Sequence, residues 1–269
     1  MFEIVDISLA TTNSLFKFKN QFEDLKGFGL KAFDNGWMLN AHQWKAGEKV
    51  LDVGGAYSWV PLRIQSQYGC EVWVADDFGK GEGDPFWERN RSPQEYIHSH
   101  PEIKFVLERI GHPENSAYPE KYFDVVYSIS ALEHVPDRLA PAVWHHMARL
   151  IKPDGELIHA IDLPFPSNGG LKLLLKIIAF DMINMLLPEK IRLEYLRISP
   201  LNYVSVVCST LGIPRKSFSK SALRAIRMAL DPEVVAESYE HTLNRITKDD
   251  PDTRYQRAGS LLIHLKSKV

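Results

Sequence analysis

The short segment at residues 49–58 constrains the fold of this chain most. It reads KVLDVGGAYS over residues 49–58, so that an apolar run ends in the carboxylate of Asp52 and continues into Gly54 and Gly55. This order predicts a buried strand, a tight loop that lets a ligand approach the backbone, and a helix with Ser58 as its N-cap. A strand, loop and helix of this kind build nucleotide-sized sites at the carboxyl end of a parallel sheet.

The rest of the chain supplies further strands in matching order. Apolar runs follow over residues 71–77, 103–110, 122–130 and 156–162, with helical patterns between them, and a last run covers 260–265. The strand predicted over residues 122–130 has few polar interruptions, which is typical of a strand whose two faces are both covered by helices. The alternation predicts an α/β fold with a largely parallel sheet.

These patterns divide the chain into four parts. Residues 1–47 are predicted to form an N-terminal helical extension, 48–162 the core, 163–250 a helical insert, and 251–269 the closing strand of the core. Within the insert, residues 171–187 are apolar on nearly every side. Such a helix is expected to be buried as core, lid or contact between copies, with docking on a membrane surface as an alternative.

The composition disfavours several classes of protein. The formal net charge of −2 gives no reason to expect a nucleic acid partner. No stretch reaches the roughly 18 uninterrupted apolar residues of a membrane span, and the N-terminus does not read as a signal peptide. Cys70 and Cys208 lack the spacing of a metal site or a disulfide framework. We therefore expect a cytoplasmic chain and name no metal ligands, while its dependence on a metal and its oligomeric state stay open.

Three motifs in this order and spacing resemble the class I S-adenosylmethionine-dependent methyltransferases. They are the glycine loop at 50–58, FDVVYSISALEHV at 123–135 and LIKPDGEL at 150–157, and the nearest subgroup is the small-molecule type often called type 11. The resemblance covers roughly residues 48–162 and the closing strand. It implies a Rossmann-like, seven-stranded, mostly parallel sheet with helices on both faces, an antiparallel last strand and a helical lid insert.

The resemblance also implies a cofactor, S-adenosyl-L-methionine, and the residues around it. The positions expected to bind it are Asp52, Gly54, Gly55, Ala56, Asp76, Asp77, His112, Glu114 and Ser128. Asp76 ends the second strand and is expected to accept hydrogen bonds from both ribose hydroxyls, with Asp77 as the alternative. His112 or Glu114 would bind the adenine amine, and Ser128 would face the methionine end.

The glycine loop departs from the family pattern. Ala56 and Ser58 stand where the family usually has its second and third glycines, and Gly55 is an additional glycine between them. Alanine costs little there if its φ is negative, and it strains the loop if its φ is positive. Asp52 is expected either to orient this loop or to reach the ammonium group of the cofactor through water.

Methyl transfer requires alignment of the acceptor and often a base, because the leaving sulfide is neutral and needs no acid. Three side chains are candidates for the base: His134, His159 and Asp162. His134 has a packing role as its alternative. His159 and Asp162 are three residues apart on the fifth strand, so they point to opposite faces unless the strand ends between them. As a pair they are too few for a metal site.

The sequence therefore predicts an S-adenosylmethionine-dependent methyltransferase that acts on a small or medium-sized acceptor. An oxygen of a sugar, glycan intermediate or secondary metabolite is the expected acceptor. One alternative is a catalytically silent methyltransferase-like domain that acts in an assembly. A nicotinamide-dependent dehydrogenase fits less well, because residues 54–59 do not match Gly-x-Gly-x-x-Gly.

Overall fold

Seven strands form one sheet in the computed structural model, which describes residues 1–10, 29–78, 92–111, 117–164, 200–214 and 258–268. The strands are β1 (Phe2–Ala10), β2 (Lys49–Val53), β3 (Glu71–Ala75), β4 (Lys104–Val106), β5 (Phe123–Ile129), β6 (Ile151–Pro164) and β7 (Ala258–Ser267). They lie side by side in the order β1-β7-β6-β5-β2-β3-β4.

The strands at the centre of the sheet run parallel. β2 pairs in parallel with β3 and β5, β3 pairs with β4, and β5 pairs with β6. The closing strand β7 runs antiparallel between β6 and β1. The predicted seven-stranded, mostly parallel sheet with an antiparallel last strand is therefore confirmed.

Helices cover both faces of the sheet. They are α1 (Gly29–Ala41), α2 (Val60–Tyr68), α3 (Pro93–Ser99), α4 (Ala140–Leu150) and α5 (Pro200–Thr210). α1 and α2 pack on one face, where Val50 and Ile158 belong to their apolar layer. α4 and α5 pack on the other face, with Leu51 and Leu157 in their layer. Because neighbouring strand residues alternate between two buried layers, the central strands read as continuous apolar runs.

The N-terminal segment differs from its prediction. Residues 2–10 form β1, so the helical extension expected over 1–47 is wrong for this part, although α1 supplies a helix further on. β1 is an edge strand that exposes about half of Val5 and buries Ile7 almost completely. Its partner β7 lies at the other end of the sequence. The pattern of apolar residues within a short segment does not predict a pairing between such distant residues.

Two shorter predictions also need correction. In place of a continuous helical pattern between the strands predicted at 122–130 and 156–162, two 3-10 turns, Leu132–His134 and Asp137–Leu139, precede α4. α2 begins at Val60, so Ser58 is not its N-cap. The Ser58 hydroxyl still accepts a hydrogen bond from the Val60 amide at 3.3 Å.

Most of the helical insert predicted for residues 163–250, including the apolar segment 171–187, lies outside the described residues. α5 is the described helix within that range, and it packs against α4. Among the residues that the structure describes, none of the helices has the length and apolar character needed to cross a membrane.

A partly buried ionic cluster fixes the end of α1 across the sheet. His42 Nδ1 lies 2.8 Å from Glu156 Oε2, and His42 Nε2 lies 3.1 Å from Glu48 Oε2. His264 Nε2 lies 3.0 Å from the same Glu156 oxygen. Burial alone would lower the pKa of His42, but the hydrogen bonds with the two glutamates outweigh it and raise that pKa. The cluster therefore anchors the C-terminal end of α1 to β6 and β7.

Candidate functional site

The glycine loop after β2 lies at the carboxyl end of the sheet, next to β3. The Gly54 amide donates a hydrogen bond to the Ala75 carbonyl at 2.8 Å. Gly54 has a φ of +77°, and a Cβ built on it would lie only 2.5 Å from the Cβ of Ala131. Glycine is required here for two reasons, since a side chain would strain the backbone and collide with the segment that follows β5.

Asp52 lies directly beneath this loop. The residue is 2% exposed, and a Cβ on Gly55 would lie 2.4 Å from Asp52 Oδ2. Its charge acts with burial to raise the pKa of Tyr127 well above the usual value, and to raise the pKa of Tyr96 to about 12. This position suits a residue that orients the loop, which is one of the two roles considered for Asp52.

Asp76 joins the glycine loop to the segment that follows β3. Its Oδ2 accepts a hydrogen bond from the Ala56 amide at 3.0 Å, and its Oδ1 accepts one from the Phe78 amide at 2.7 Å. Ala56 has a φ of +36°, so the substitution of alanine for the family's glycine does strain the backbone. The hydrogen bond with Asp76 helps to hold Ala56 in that conformation.

Asp77, the alternative to Asp76, points to a different partner. Its Oδ2 lies 2.5 Å from Nε of Arg109, which follows β4. Because this ion pair compensates the Asp77 charge, Asp76 is the better placed of the two carboxylates to meet a ligand held by the glycine loop.

Aromatic side chains that the sequence analysis did not single out surround the loop. The ring of Tyr57 lies 5.1 Å from that of Phe78 and 5.0 Å from that of Tyr96, both in edge-to-face contact. The Tyr96 hydroxyl donates a hydrogen bond to the Ser58 carbonyl at 3.1 Å, which ties α3 to the loop. The signal in the sequence was Tyr57 itself, a large residue inside a loop of small ones.

Ser128 and His159 lie on the opposite face of the sheet from Asp52. Both are 0% exposed, and Ser128 Oγ lies 2.8 Å from His159 Nδ1. The His159 ring makes an edge contact with Trp144 of α4 at 4.7 Å. Burial, with a smaller effect from His264, lowers the pKa of His159 to about 3. A neutral imidazole inside this apolar layer does not suit a base that meets solvent or an acceptor.

The buried His159 predicts a specific acid sensitivity. The folded protein keeps His159 neutral, whereas the unfolded chain protonates this histidine below about pH 6.5. The contribution of the neutral His159 to stability is therefore complete above that pH. Stability then falls by about 1.4 kcal/mol per pH unit as the pH drops toward the folded pKa of about 3. In His159→Gln, the free energy of unfolding should lose about 2 kcal/mol less between pH 6 and pH 4. Urea unfolding at a series of pH values measures this difference.

His145→Gln is the matched control, because His145 is an exposed histidine on α4, the helix that contacts His159 through Trp144. It should show the pH dependence of the unaltered protein. An unchanged slope in His159→Gln would mean that other groups cause the acid unfolding.

His134 lies on the 3-10 turn after β5, at the surface. Its side chain is 75% exposed, and its Nε2 lies 3.6 Å from an oxygen of Glu133, whose side chain is 8% exposed. The buried member of the Leu-Glu-His motif is therefore the glutamate, while the histidine faces solvent.

Asp162 belongs to a group of buried polar residues beneath α1. On β7 its register partner is Ser260, whose hydroxyl donates a hydrogen bond to Asp34 Oδ1 at 2.7 Å. Asp34, on α1, is completely buried. Burial raises its pKa well above the usual value, and the charge of Asp162, a hydrogen bond with Asp162 and the charge of Glu133 raise it further. Burial and the neighbouring acidic side chains therefore favour the protonated form of Asp34.

Asp34 and Glu133 were not among the predicted site residues. The available signal for Asp34 was the polar pair Asp34-Asn35 inside an otherwise apolar helical pattern. Both residues of that pair are buried. The available signal for Glu133 was its position in the Leu-Glu-His motif, directly before His134.

The remaining predicted contacts, His112 and Glu114, lie outside the described residues. The last described residue before them is Gly111, which packs against α4. Within the described ranges, no three His, Cys, Asp or Glu side chains are arranged to hold a metal ion.

Known proteins resemble this chain in sequence. Residues 30–195 match the model of a family described as a methyltransferase domain. The 27-O-demethylrifamycin SV methyltransferase of Amycolatopsis mediterranei is 40% identical over 58 residues. That match spans 20% of this chain and 20% of the curated relative.

Solved structures show the same fold. Phosphoethanolamine N-methyltransferase 2 of Haemonchus contortus, in complex with phosphomonomethylethanolamine and S-adenosylhomocysteine, has a TM-score of 0.51 and 14% identity, covering 96% of this chain and 58% of that one. The same enzyme with S-adenosyl-L-methionine has a TM-score of 0.50 and 14% identity, covering 96% and 57%. At this identity the likeness concerns the fold alone. Because the family model spans more than half of its residues, the chain belongs to the methyltransferase domain family, with the fold of the class I S-adenosylmethionine-dependent enzymes.

Proposed function

We propose that this chain is an S-adenosylmethionine-dependent methyltransferase that methylates an oxygen of a small or medium-sized acceptor. The observation that carries this proposal is the junction of Asp76 with the glycine loop, where Asp76 Oδ2 lies 3.0 Å from the Ala56 amide. A carboxylate at a strand end, beside a close-approaching backbone, fits a ribose diol next to the methionine end of the cofactor. When bound, the cofactor supplies a methyl group on a cationic sulfur.

The choice of an oxygen acceptor has two supports. The curated relative is named 27-O-demethylrifamycin SV methyltransferase, and the name of its substrate indicates an oxygen that lacks a methyl group. A hydroxyl acceptor also needs a base, and the buried pair of Asp34 and Asp162 offers one. A sugar, a glycan intermediate or a secondary metabolite would each present such a hydroxyl.

Asp162 is the proposed base, ahead of His134 and His159. Burial and the charge of Asp162 raise the pKa of the neighbouring Asp34. We propose that a protonated Asp34 donates a hydrogen bond to Asp162, which would keep Asp162 ionised and oriented. An ionised carboxylate at the end of β6 can accept the proton of an acceptor hydroxyl as its oxygen attacks the methyl carbon. Asp34 then acts as a positioning residue, and Ser260 fixes Asp34 in turn.

Substitution at these two positions separates the two roles. Asp162→Asn should lower kcat by about 100-fold or more, because the amide cannot accept a proton. Asp34→Asn should keep most of the activity, because its amide can still donate the hydrogen bond that the protonated Asp34 donates. Steady-state kinetics of both variants, with cofactor affinity measured in parallel, tests this. Full activity in Asp162→Asn would place the base elsewhere.

The function itself is tested by binding and turnover. Isothermal titration of the protein with S-adenosylmethionine and S-adenosylhomocysteine should give saturable binding of both. Transfer of a labelled methyl group should then be screened over sugars, phenolic and polyketide hydroxyls, and amines. Methylated hydroxyl products support the proposal, and products methylated only on amines would overturn the choice of oxygen. Binding without any turnover would favour a silent domain, and lack of binding would reject the proposed function.

A further inference from the structure

We infer that Tyr57 is a positioning residue for the cofactor site, because its ring holds the glycine loop in the conformation that directs the Ala56 amide at Asp76. This inference rests on the proposed function, in which Asp76 and the glycine loop bind the cofactor. Tyr57 acts through Ala56 and need not touch the reacting atoms.

Two residues beside Asp76 have a left-handed backbone although neither is glycine. Ala56 has a φ of +36° and Phe78 a φ of +54°. Each donates its amide hydrogen to one oxygen of Asp76, at 3.0 Å from Ala56 and at 2.7 Å from Phe78. Residues with a side chain seldom adopt a positive φ, because their Cβ comes too close to the backbone. Such a conformation persists only where the surroundings support it.

Tyr57 supplies that support through its ring. It directly follows Ala56, and its ring centroid lies 5.1 Å from that of Phe78 and 5.0 Å from that of Tyr96. The angles between the ring planes are 69° and 77°. Rings attract each other in this arrangement, because the positive edge of one meets the negative face of the other. Tyr57 thus links the glycine loop with the segment after β3 and with α3.

The two partners of Tyr57 are held in place by other contacts. Phe78 and Tyr96 are both buried, and their rings lie 6.4 Å and 5.8 Å from the ring of Phe105 on β4. The Tyr96 hydroxyl also donates a hydrogen bond to the Ser58 carbonyl, on the other side of Tyr57 in the loop. Because these partners are anchored, loss of the Tyr57 ring releases the loop more than it releases them.

Release of the loop reaches the cofactor site through one hydrogen bond. Without the ring, Ala56 can relax toward a negative φ, and its amide then turns away from Asp76 Oδ2. The proposed ribose carboxylate loses a donor that fixes its orientation. Cofactor binding must then order the loop as well, and that lowers the affinity.

Affinity for S-adenosylhomocysteine, measured by titration calorimetry, tests this role. Tyr57→Ala removes the ring and should weaken binding by about tenfold. Tyr57→Phe keeps the ring and should bind within about threefold of the unaltered protein. Tyr68→Ala is the matched control, because Tyr68 is also a half-buried tyrosine, with its ring 6.2 Å from that of Trp44 at the C-terminal end of α2. Its affinity should be unchanged.

Ala56→Gly separates support of a strained backbone from ordinary packing. Glycine adopts a positive φ readily, so the loop should no longer need the ring. In the Ala56→Gly background, Tyr57→Ala should therefore weaken binding by less than about threefold. Comparison within one background removes the effect of Ala56→Gly itself. A purely structural role of Tyr57 predicts the same loss of affinity in both backgrounds.

Hydrogen exchange of the Ala56 amide gives a readout that does not depend on the ligand. Exchange should be slow in the unaltered protein and in Tyr57→Phe, and faster in Tyr57→Ala, with thermal unfolding confirming that each variant is folded. If Tyr57→Ala does not fold, Tyr57→Leu replaces it in both backgrounds. Unchanged affinity in the folded variant without the ring, or equal losses with and without Ala56→Gly, would overturn the inference. If the unaltered protein binds no S-adenosylhomocysteine, the proposed function fails instead.

Discussion

Gly54→Ala is expected to destabilise the fold and to weaken cofactor binding together. The left-handed backbone costs an alanine about 1–2 kcal/mol, and displacement of Ala131 adds about 1–3 kcal/mol, so the free energy of unfolding should fall by about 3 kcal/mol. Because Ala131 must shift away from the loop, the affinity for S-adenosylhomocysteine should fall by about tenfold or more. Urea unfolding and titration calorimetry measure the two effects.

Two matched variants separate strain from collision. Gly47 has a similar φ of +82°, but a Cβ there meets nothing within 4 Å. Gly47→Ala should therefore cost only the strain, about 1 kcal/mol, and leave cofactor affinity unchanged. Adding Ala131→Gly to Gly54→Ala removes the atom that collides and should restore part of the lost stability. Equal losses in Gly54→Ala and Gly47→Ala would show that the contact with Ala131 has no importance.

Asp76→Ala is expected to reduce the affinity for S-adenosylmethionine and S-adenosylhomocysteine at least about tenfold. The substitution removes the charged acceptor proposed for the ribose hydroxyls, and charge-assisted hydrogen bonds of this type contribute about 1.5–3 kcal/mol. It also leaves the strained Ala56 without the oxygen that accepts its amide proton. Titration calorimetry gives the affinities, and the unfolding temperature without ligand gives the effect on the loop.

Asp77→Ala is the control for Asp76→Ala. It removes the neighbouring carboxylate and its ion pair with the partly exposed Arg109, which contributes little to stability or binding. Its affinity should stay within about twofold of the unaltered protein. A large loss in Asp77→Ala together with a small loss in Asp76→Ala would reverse the assignment of the ribose carboxylate.

The parts of the fold that were predictable have a local signature. β2 and β5 are buried on both faces, and their largely apolar runs in the sequence indicated this burial. β1 has no such signature, because one side of it is exposed and its pairing with β7 joins distant parts of the sequence. The 3-10 turns after β5 lie in a stretch with a helical pattern, because the periodicity of apolar residues does not distinguish a single turn from a continuous helix.

The same contrast applies to the site. The junction of Asp76 with the glycine loop was accessible, because both features follow directly from strand ends in a parallel sheet. The orientation of Ser128 and His159 was not, since a shift of one residue in a strand moves a side chain to the other face. The contacts of Asp34 depend on how α1 lies on the sheet, and that placement is a property of tertiary packing.

The position of β7 between β6 and β1 has a consequence for how the molecule is made. A ribosome releases the strand at 2–10 long before the strand at 258–267, which must pair with it on one side and with β6 on the other. Until then, two strand edges present unpaired amides and carbonyls to other chains, so nascent molecules risk association at these edges. Completion of the sheet therefore waits for synthesis of the antiparallel strand β7, and long-range closure of this kind slows folding.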